Sequence, residues 1–200
     1  MSTEGHKTIL ITGTTNGIGT VTASQLARDG HRICMANRNR QKSEALRDAI
    51  VAETGNENIE CLDLDLSSLE SVRQCAADFN ADHDSLDILI NNAGINHQSE
   101  VITTDGLEAN FQVNALSQLM FTQALLPALE QAAPSHAIFV TSMMHKFGKL
   151  DFESFRGWDK YSGGASYNQS KLAIMVLARE LGERVKDKGV TVSSLHPGAV

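Results

Sequence analysis

The amino-acid sequence predicts an α/β fold in which a doubly wound parallel sheet carries helices on both faces, a three-layer sandwich. Three observations predict it. Short apolar runs rich in β-branched residues alternate with amphipathic segments of helical length along the whole chain. The first run empties into a glycine-rich turn that opens a helix. No repeat, low-complexity tract or linker divides the 200 residues, which are read as a single domain spanning 1–200. Right-handed crossovers then place helices on both sides of the sheet.

The elements follow in order. Lys7–Thr12 (KTILIT) is the first strand, and Gly17 to about Asp29 the first helix. His31–Ala36 is the second strand, followed by a helix from Gln41 to about Glu53, where Leu46, Ala49, Ile50 and Glu53 keep helical spacing. Asn58–Leu62 is the third strand. The next helix, to about Asn80, is opened by Ser68, with Ser71 three residues on in place of the Glu of a full capping box. Leu86–Asn91 is the fourth strand, and a long helical stretch runs from about Asp105 to Ala132, broken before Pro127. Ala137–Ser142 is the fifth strand, Gly164 to about Lys188 a helix, and Val190–His196 the sixth strand. Residues 143–163 form the long irregular stretch, a length usually reserved for functional or mobile loops.

Composition excludes several classes of function. Seventeen Lys and Arg against 24 Asp and Glu give a formal charge of −7. That argues against nucleic-acid binding, which calls for a basic face, and against docking on anionic membranes. No apolar run approaches the roughly 18 residues of a transmembrane helix. MSTEGHKT lacks the apolar core of a signal peptide, so a cytoplasmic location is expected. Cys34, Cys61 and Cys75 form no CxxC pair and are read as free thiols, Cys34 and Cys61 as core residues. The seven histidines show no metal-ligand spacing, and no metal is expected.

The turn Thr12–Gly19 (TGTTNGIG) holds Gly13, Gly17 and Gly19 between strand and helix. A turn free of Cβ atoms lets backbone approach a pyrophosphate, and a helix N-terminus offers it N–H groups and the positive end of a dipole. A plain tight turn is the bland alternative. The spacing is not the G-x-G-x-x-G dinucleotide fingerprint, and no Lys-Ser/Thr follows to make a Walker A loop. At the end of the second strand, where an acidic residue would bond a ribose 2′-hydroxyl, stand Asn37 and Arg38. A guanidinium there suits a 2′-phosphate, favouring NADP over NAD, with Arg40 available to share the role.

Tyr167 and Lys171 are four residues apart on a predicted helix and so share a face. An ammonium beside a phenol favours the phenolate, which makes Tyr167 a candidate proton donor and acceptor. Ser142 ends the fifth strand, Asn91 ends the fourth, and Asn114 lies in the following helix, all near the strand C-termini where open α/β sheets bind ligands.

In order and spacing, TGxxxGIG, Asn91-Asn92-Ala93-Gly94, Ser142, Tyr167-x-x-x-Lys171 and Pro197-Gly198 resemble the classical short-chain dehydrogenases/reductases from Lys7 to the last residue. Asp65-Leu66-Ser67-Ser68-Leu69, His145-Lys146-Phe147-Gly148, Tyr161-Ser162-Gly163-Gly164 and the 25 positions between Ser142 and Tyr167 are similar to the retinol-dehydrogenase-like branch, which includes relatives of the WW-domain oxidoreductase. The resemblance implies a Rossmann-type fold and an oxidoreductase moving a hydride between NADP(H) and a carbonyl/alcohol pair, with a lipophilic aldehyde, ketone, retinoid or steroid as substrate. It implies Tyr167 as general acid and base, Lys171 on the nicotinamide ribose, Ser142 on the substrate oxygen, and Asn114 holding a water of a proton relay. It places Gly13, Thr15, Asn16, Gly17, Ile18, Gly19, Asn37 and Arg38 on the cofactor's phosphates and ribose. Asp65 and Leu66 fall at the adenine, Asn91, Ala93 and Gly94 at the adenosine ribose side, and Pro197 and Gly198 at the nicotinamide.

Two departures stand out. Ser117 follows Asn114 by three residues where the branch has Gly, a packing adjustment. The chain reaches Val200 inside the Pro-Gly-x-Val motif, whereas family members continue with a cofactor-contacting Thr, a substrate loop and a seventh strand. The reading is therefore a C-terminally truncated domain. An impaired dinucleotide-binding regulatory or interaction module is the alternative to an active enzyme.

Outside these motifs, His145 and Lys146 read as loop residues that position the irregular stretch. Met143, Met144, Phe147, Phe152, Phe155 and Trp158 suit equally a lipophilic pocket wall or a satellite core. The helix over 107–126 and the one over 165–185 are apolar almost all round, which signals burial. The family commonly dimerises through these helices, so a homodimer is expected.

Overall fold

The computed structural model describes residues 5–198. Ala199 and Val200, the end of the Pro-Gly-x-Val motif, lie outside them. Six parallel strands form one sheet: β1 Thr8–Thr12, β2 Arg32–Asn37, β3 Ile59–Asp63, β4 Ile88–Asn91, β5 Ser135–Val140 and β6 Val190–Leu195. Their spatial order is β3-β2-β1-β4-β5-β6. The chain leaves β1 toward one edge, returns, and continues from β4 toward the other. The crevice between β1 and β4 is therefore the switch point at which open α/β sheets take ligands.

The strands form because alternate apolar side chains fill both faces of a pleat. Ile9, Ile11, Ile33 and Met35 point to one face, against Ala23, Ala27 and Ile50 of α1 (Gly17–Arg28) and α2 (Arg40–Thr54). Leu10, Cys34, Ala36, Leu89, Ala137 and Phe139 point to the other. There they meet Val72 and Phe79 of α3 (Leu69–Asp82), Phe121 of α5 (Ser117–Ala124), Leu129 of α6 (Leu126–Gln131) and Ile174 of α7 (Gly163–Val185). Local chemistry sets the helix ends. The Asn39 side chain accepts from the Lys42 amide, 2.9 Å, at the start of α2, and Gly55 ends that helix left-handed at φ 71°. The predicted Ser68 cap is present, accepting from the Ser71 amide at 3.2 Å.

The stretch read as one helix over 105–132 is differently built. An antiparallel bridge between Ile102 and Glu108 occupies its beginning. Glu108 then caps α4 (Ala109–Phe111), accepting from the Asn110 and Phe111 amides. A π-helical turn, Gln112–Leu116, leads into α5. The break falls at Leu125 as expected, with Pro127 in the first turn of α6, where no intrahelical N–H is needed. The irregular stretch holds two 3₁₀ turns, Met143–Phe147 and Phe152–Arg156, capped by Ser142 and Asp151.

The apolarity of α5 and α7 is absorbed mostly within the chain: Phe121, Ile174 and Leu181 are buried. Val176 stays exposed, while Leu116, Leu119, Met120 and Leu177 form a half-buried apolar strip packed against the core. Cys34 and Cys75 are buried and Cys61 half-buried, all unpaired thiols. Among the described residues, no helix is long and apolar enough to cross a membrane.

Candidate active site

The C-terminal ends of the strands open into a cleft of about 1400 Å³. One end is the glycine turn. Gly13 takes φ 70°, and a Cβ there would stand 2.8 Å from the Ala93 Cα. A Cβ on Gly19 would meet the Gly13 carbonyl oxygen at 2.2 Å, so the first turn of α1 closes down on β1 only because neither residue has a side chain. Asn16 precedes α1, but no side chain caps that helix, which leaves its first amides to the cleft lined by Thr15, Asn16, Gly17 and Ile18. Asn92 staples the turn from β4, donating through Nδ2 to the carbonyls of Thr12, 3.0 Å, and Gly13, 2.9 Å. The Thr12 hydroxyl accepts from the amides of Asn92 and Ala93, each at 3.0 Å.

Beside the turn, Asn37 lines the cleft yet is buried. Its Oδ1 accepts from the Thr14 amide at 2.7 Å, and its Nδ2 donates to the hydroxyls of Thr14, 2.8 Å, and Ser43, 2.7 Å. It therefore holds the turn from behind. Arg38 is exposed on the cleft wall and, among the described residues, makes no ion pair; Lys42 is exposed beside it. Arg40, expected to share Arg38's role, is engaged elsewhere, with Glu44 at 2.8 Å, the Cys61 carbonyl at 2.9 Å and Asp63 at 3.6 Å. Asp65 and Leu66 line the next section. The Asp65 carboxylate accepts from the amide, 2.9 Å, and the hydroxyl, 2.6 Å, of Ser67. The Leu66 carbonyl accepts from the Ser117 hydroxyl at 2.7 Å. Ser117 is thus a tie between α5 and the loop after β3.

The other end of the cleft holds Ser142, Tyr167 and Lys171, with Pro197 and Gly198 on the same wall. Ser142 caps a 3₁₀ turn, its hydroxyl accepting from the Met144 amide at 3.3 Å. The Ser142 carbonyl accepts from the amide and the Nδ1 of His145, which places His145 as a support of this loop. Tyr167 and Lys171 share one face of α7, the Lys171 Nζ lying 5.8 Å from the Tyr167 ring centroid. Lys171 is 4% exposed, and its ammonium donates to the Val140 carbonyl at 3.0 Å. Burial pushes it down from an ordinary 10.5 to about 8, because a charged amine loses its water there.

Three of the predicted site residues do not reach the cleft wall. Gly19 lies under the turn. Asn91 is fully buried, donating to the Thr122 hydroxyl at 2.9 Å; the strand alternation turns it inward, and Asn92 faces the cleft in its place. Asn114, in the π turn, is buried too. Its Oδ1 accepts from the Ile95 amide at 2.8 Å, and its Nδ2 donates to the Ile95 carbonyl, 2.8 Å, and the Ser170 hydroxyl, 2.9 Å. It backs Gly94, whose added Cβ would stand 3.3 Å from both the Asn114 Oδ1 and the Lys171 Nζ. Apolar Val101, Ile102 and Met144 complete the wall between the two ends. The cleft thus joins the glycine turn at the open N-terminus of α1 to the group of Ser142, Tyr167 and Lys171. Sequence reasoning passed over Thr12, Asn92 and Lys42. Alternation along β4 was the available signal for choosing Asn92 over Asn91.

Comparison with known proteins gives the family and the fold. A family model described as short chain dehydrogenase matches residues 7–200. Human retinol dehydrogenase 13 is 43% identical over 194 residues, covering 96% of this chain and 58% of that protein. Mouse retinol dehydrogenase 12 is 40% identical, covering 97% of this chain and 61% of its own. The chain thus spans about three fifths of the length of these relatives. Among solved structures, an uncharacterized protein from Mycobacterium paratuberculosis superposes with a TM-score of 0.84 at 35% identity, covering 96% of this chain and 68% of that one. A metagenomic short-chain oxidoreductase in complex with NADP gives 0.79 at 27% identity, covering 96% and 82%.

Proposed function

The chain belongs to the short-chain dehydrogenase family, and on that premise we propose that it is an NADP-dependent oxidoreductase interconverting a carbonyl and an alcohol. One observation carries this reading: the glycine cradle at the open N-terminus of α1 and the Ser142–Tyr167–Lys171 group line the same cleft. The cradle fits a dinucleotide, since the turn is packed so closely that neither Gly13 nor Gly19 has room for a Cβ and, among the described residues, no side chain caps the helix above it. The backbone of residues 13–19 would hold the pyrophosphate. Arg38, with Lys42 beside it, would hold a 2′-phosphate, with Asn37 bracing the turn. Asp65 and Leu66 would flank the adenine, Ala93 and Gly94 the adenosine ribose, and Pro197 and Gly198 the nicotinamide. When bound, NADP(H) supplies or accepts the hydride.

The chain's own residues do the rest. On reduction the Tyr167 hydroxyl gives its proton to the substrate oxygen; on oxidation the phenolate takes it from the alcohol. Ser142 donates a hydrogen bond to the same oxygen as charge develops there. Lys171, 5.8 Å from the Tyr167 ring centroid, sets the field at the phenol and would hold the nicotinamide ribose. Asn114 fixes Ile95 and Ser170, and so the floor under Gly94 and Lys171. The substrate class we assign is a lipophilic aldehyde, ketone or retinoid. Val101, Ile102 and Met144 support it, as do relatives that are retinol dehydrogenases. The half-buried strip on α5 and α7 supports a homodimer across those helices, for which light scattering showing only monomer at micromolar concentration would be contrary evidence.

The test is NADPH consumption with a panel of lipophilic aldehydes and ketones. Turnover that disappears in Tyr167→Phe while NADPH binding persists is the expected result. Full turnover in that variant would refute the role of Tyr167. Absence of NADPH binding by the wild type would refute the whole reading.

A further inference from the structure

On the opposite side of the sheet's centre from the Tyr167 group, three unlike donors converge. Cys34 on β2 and Glu60 on β3 are direct partners in the parallel register, so their side chains leave the same face. That face is the one α3 packs on, and α3 ends at His83. The Cys34 Sγ lies 4.0 Å from the Glu60 Oε2 and 4.0 Å from the His83 Nε2, and the latter two are 2.9 Å apart. All three atoms thus bound one small volume. From this convergence we infer that Cys34, Glu60 and His83 form a binding site for a zinc-class divalent cation.

The donor set is the first reason. Thiolate, imidazole and carboxylate together select a borderline-soft ion over Mg²⁺ or Ca²⁺, which take oxygen alone. The second reason is distance. With metal–ligand lengths of about 2.3 Å to sulfur and about 2.1 Å to nitrogen and oxygen, a tetrahedral centre spaces S from N or O by about 3.6 Å and N from O by about 3.4 Å. The observed spacings of 4.0, 4.0 and 2.9 Å differ from these by about half an ångström. Rotation of the Glu60 carboxylate, whose side chain is 39% exposed, supplies such a shift.

Orientation is the third reason. The two Glu60 oxygens are divided, Oε1 toward the Arg32 guanidinium at 3.4 Å and Oε2 toward His83 and Cys34. The His83 ring is stacked on Phe79, 4.4 Å between centroids, and its side chain is only 6% exposed. Both ligands are thus aimed by outer partners before any ion arrives. Binding forms a metal–sulfur bond and releases the thiol proton to solvent; thiolate and carboxylate together balance the dication. The fourth position falls on the exposed Glu60 side and takes water. None of the three ligands lines the cleft, so the ion acts as a clip joining β2, β3 and α3.

Cobalt(II) titration of chelator-treated wild-type protein tests this. One equivalent should produce a thiolate-to-cobalt charge-transfer absorption that zinc(II) displaces, and zinc should raise the melting temperature. The absorption should vanish in Cys34→Ser and persist in Cys61→Ser and Cys75→Ser. His83→Gln and Glu60→Gln should each weaken binding by about tenfold or more. If Cys34→Ser fails to fold, the His83 and Glu60 variants decide, and unchanged affinity in both overturns the site. So does a wild type without the charge-transfer absorption, or an absorption that survives in folded Cys34→Ser.

Discussion

Lys171→Met should make the pH dependence of stability flatter, and the size of the change follows from burial. The Lys171 amine is 4% exposed and donates to one protein acceptor, the Val140 carbonyl. Its value falls from 10.5 in an unfolded chain to about 8 in the fold. The unfolded chain therefore binds this proton more tightly, and stability rises with pH between the two values. Well below pH 8 the charged amine costs the fold about 3 kcal/mol, from 1.36 kcal/mol per unit. By about pH 9.5 most of the folded population is neutral at this site, and about 2 kcal/mol of that cost is recovered. Methionine keeps the unbranched shape of the side chain, one atom shorter, and removes the titration. Urea unfolding of both proteins at pH 7 and 9.5 gives the difference directly, and other titrating groups cancel in it. Whatever offset the lost bond to Val140 introduces, the variant's stability relative to wild type should fall by about 2 kcal/mol between the two pH values. A difference that does not move with pH would refute the assignment of a desolvated, readily neutralised amine to this position.

Other outcomes follow from the same geometry. Arg38→Leu should weaken NADPH binding by about tenfold or more while leaving NADH nearly unchanged, as the loss of a charge-assisted bond to a 2′-phosphate requires; equal losses for both dinucleotides in a binding titration would contradict the role. Gly19→Ala places a Cβ 2.2 Å from the Gly13 carbonyl, so the turn must open; a stability loss of about 1–3 kcal/mol and absent dinucleotide binding are expected in denaturation and fluorescence titrations. Ser117→Gly removes the bond to the Leu66 carbonyl and adds glycine inside a helix, together about 2 kcal/mol of stability; a neutral effect would make the hydroxyl incidental.

What was legible in the sequence is what the chain encodes locally. The strands announced themselves by β-branched runs, the cradle by glycines between a strand and a helix, and the cap at Ser68 and the break before Pro127 by residue chemistry alone. That Tyr167 and Lys171 share a helix face followed from a spacing of four, whereas their candidacy as a site rested on Ser142 and on the motif order. The errors lie where two distant segments decide. The π turn at Gln112–Leu116 adds one residue to a helix without changing its apolar pattern, and its reason is the Ile95 backbone that Asn114 grips from 19 positions away. The bridge from Ile102 to Glu108 delays the helix for a similar reason: Glu108 serves as a cap and so cannot lie inside it. Ser117 looked like a filler for glycine until a loop carbonyl arrived beside it. Asn91 and Asn92 differ in the opposite sense, since alternation from buried Leu89 already sends Asn91 inward; there the pattern was present and outweighed by motif position. The grouping of Cys34, Glu60 and His83 is the extreme case. Its members sit on two strands and a helix end, and only the pairing register of β2 with β3 brings thiol and carboxylate side by side. A chemically specific site can therefore stand in a sequence with no motif at all, provided the sheet supplies the spacing that a motif would otherwise spell out.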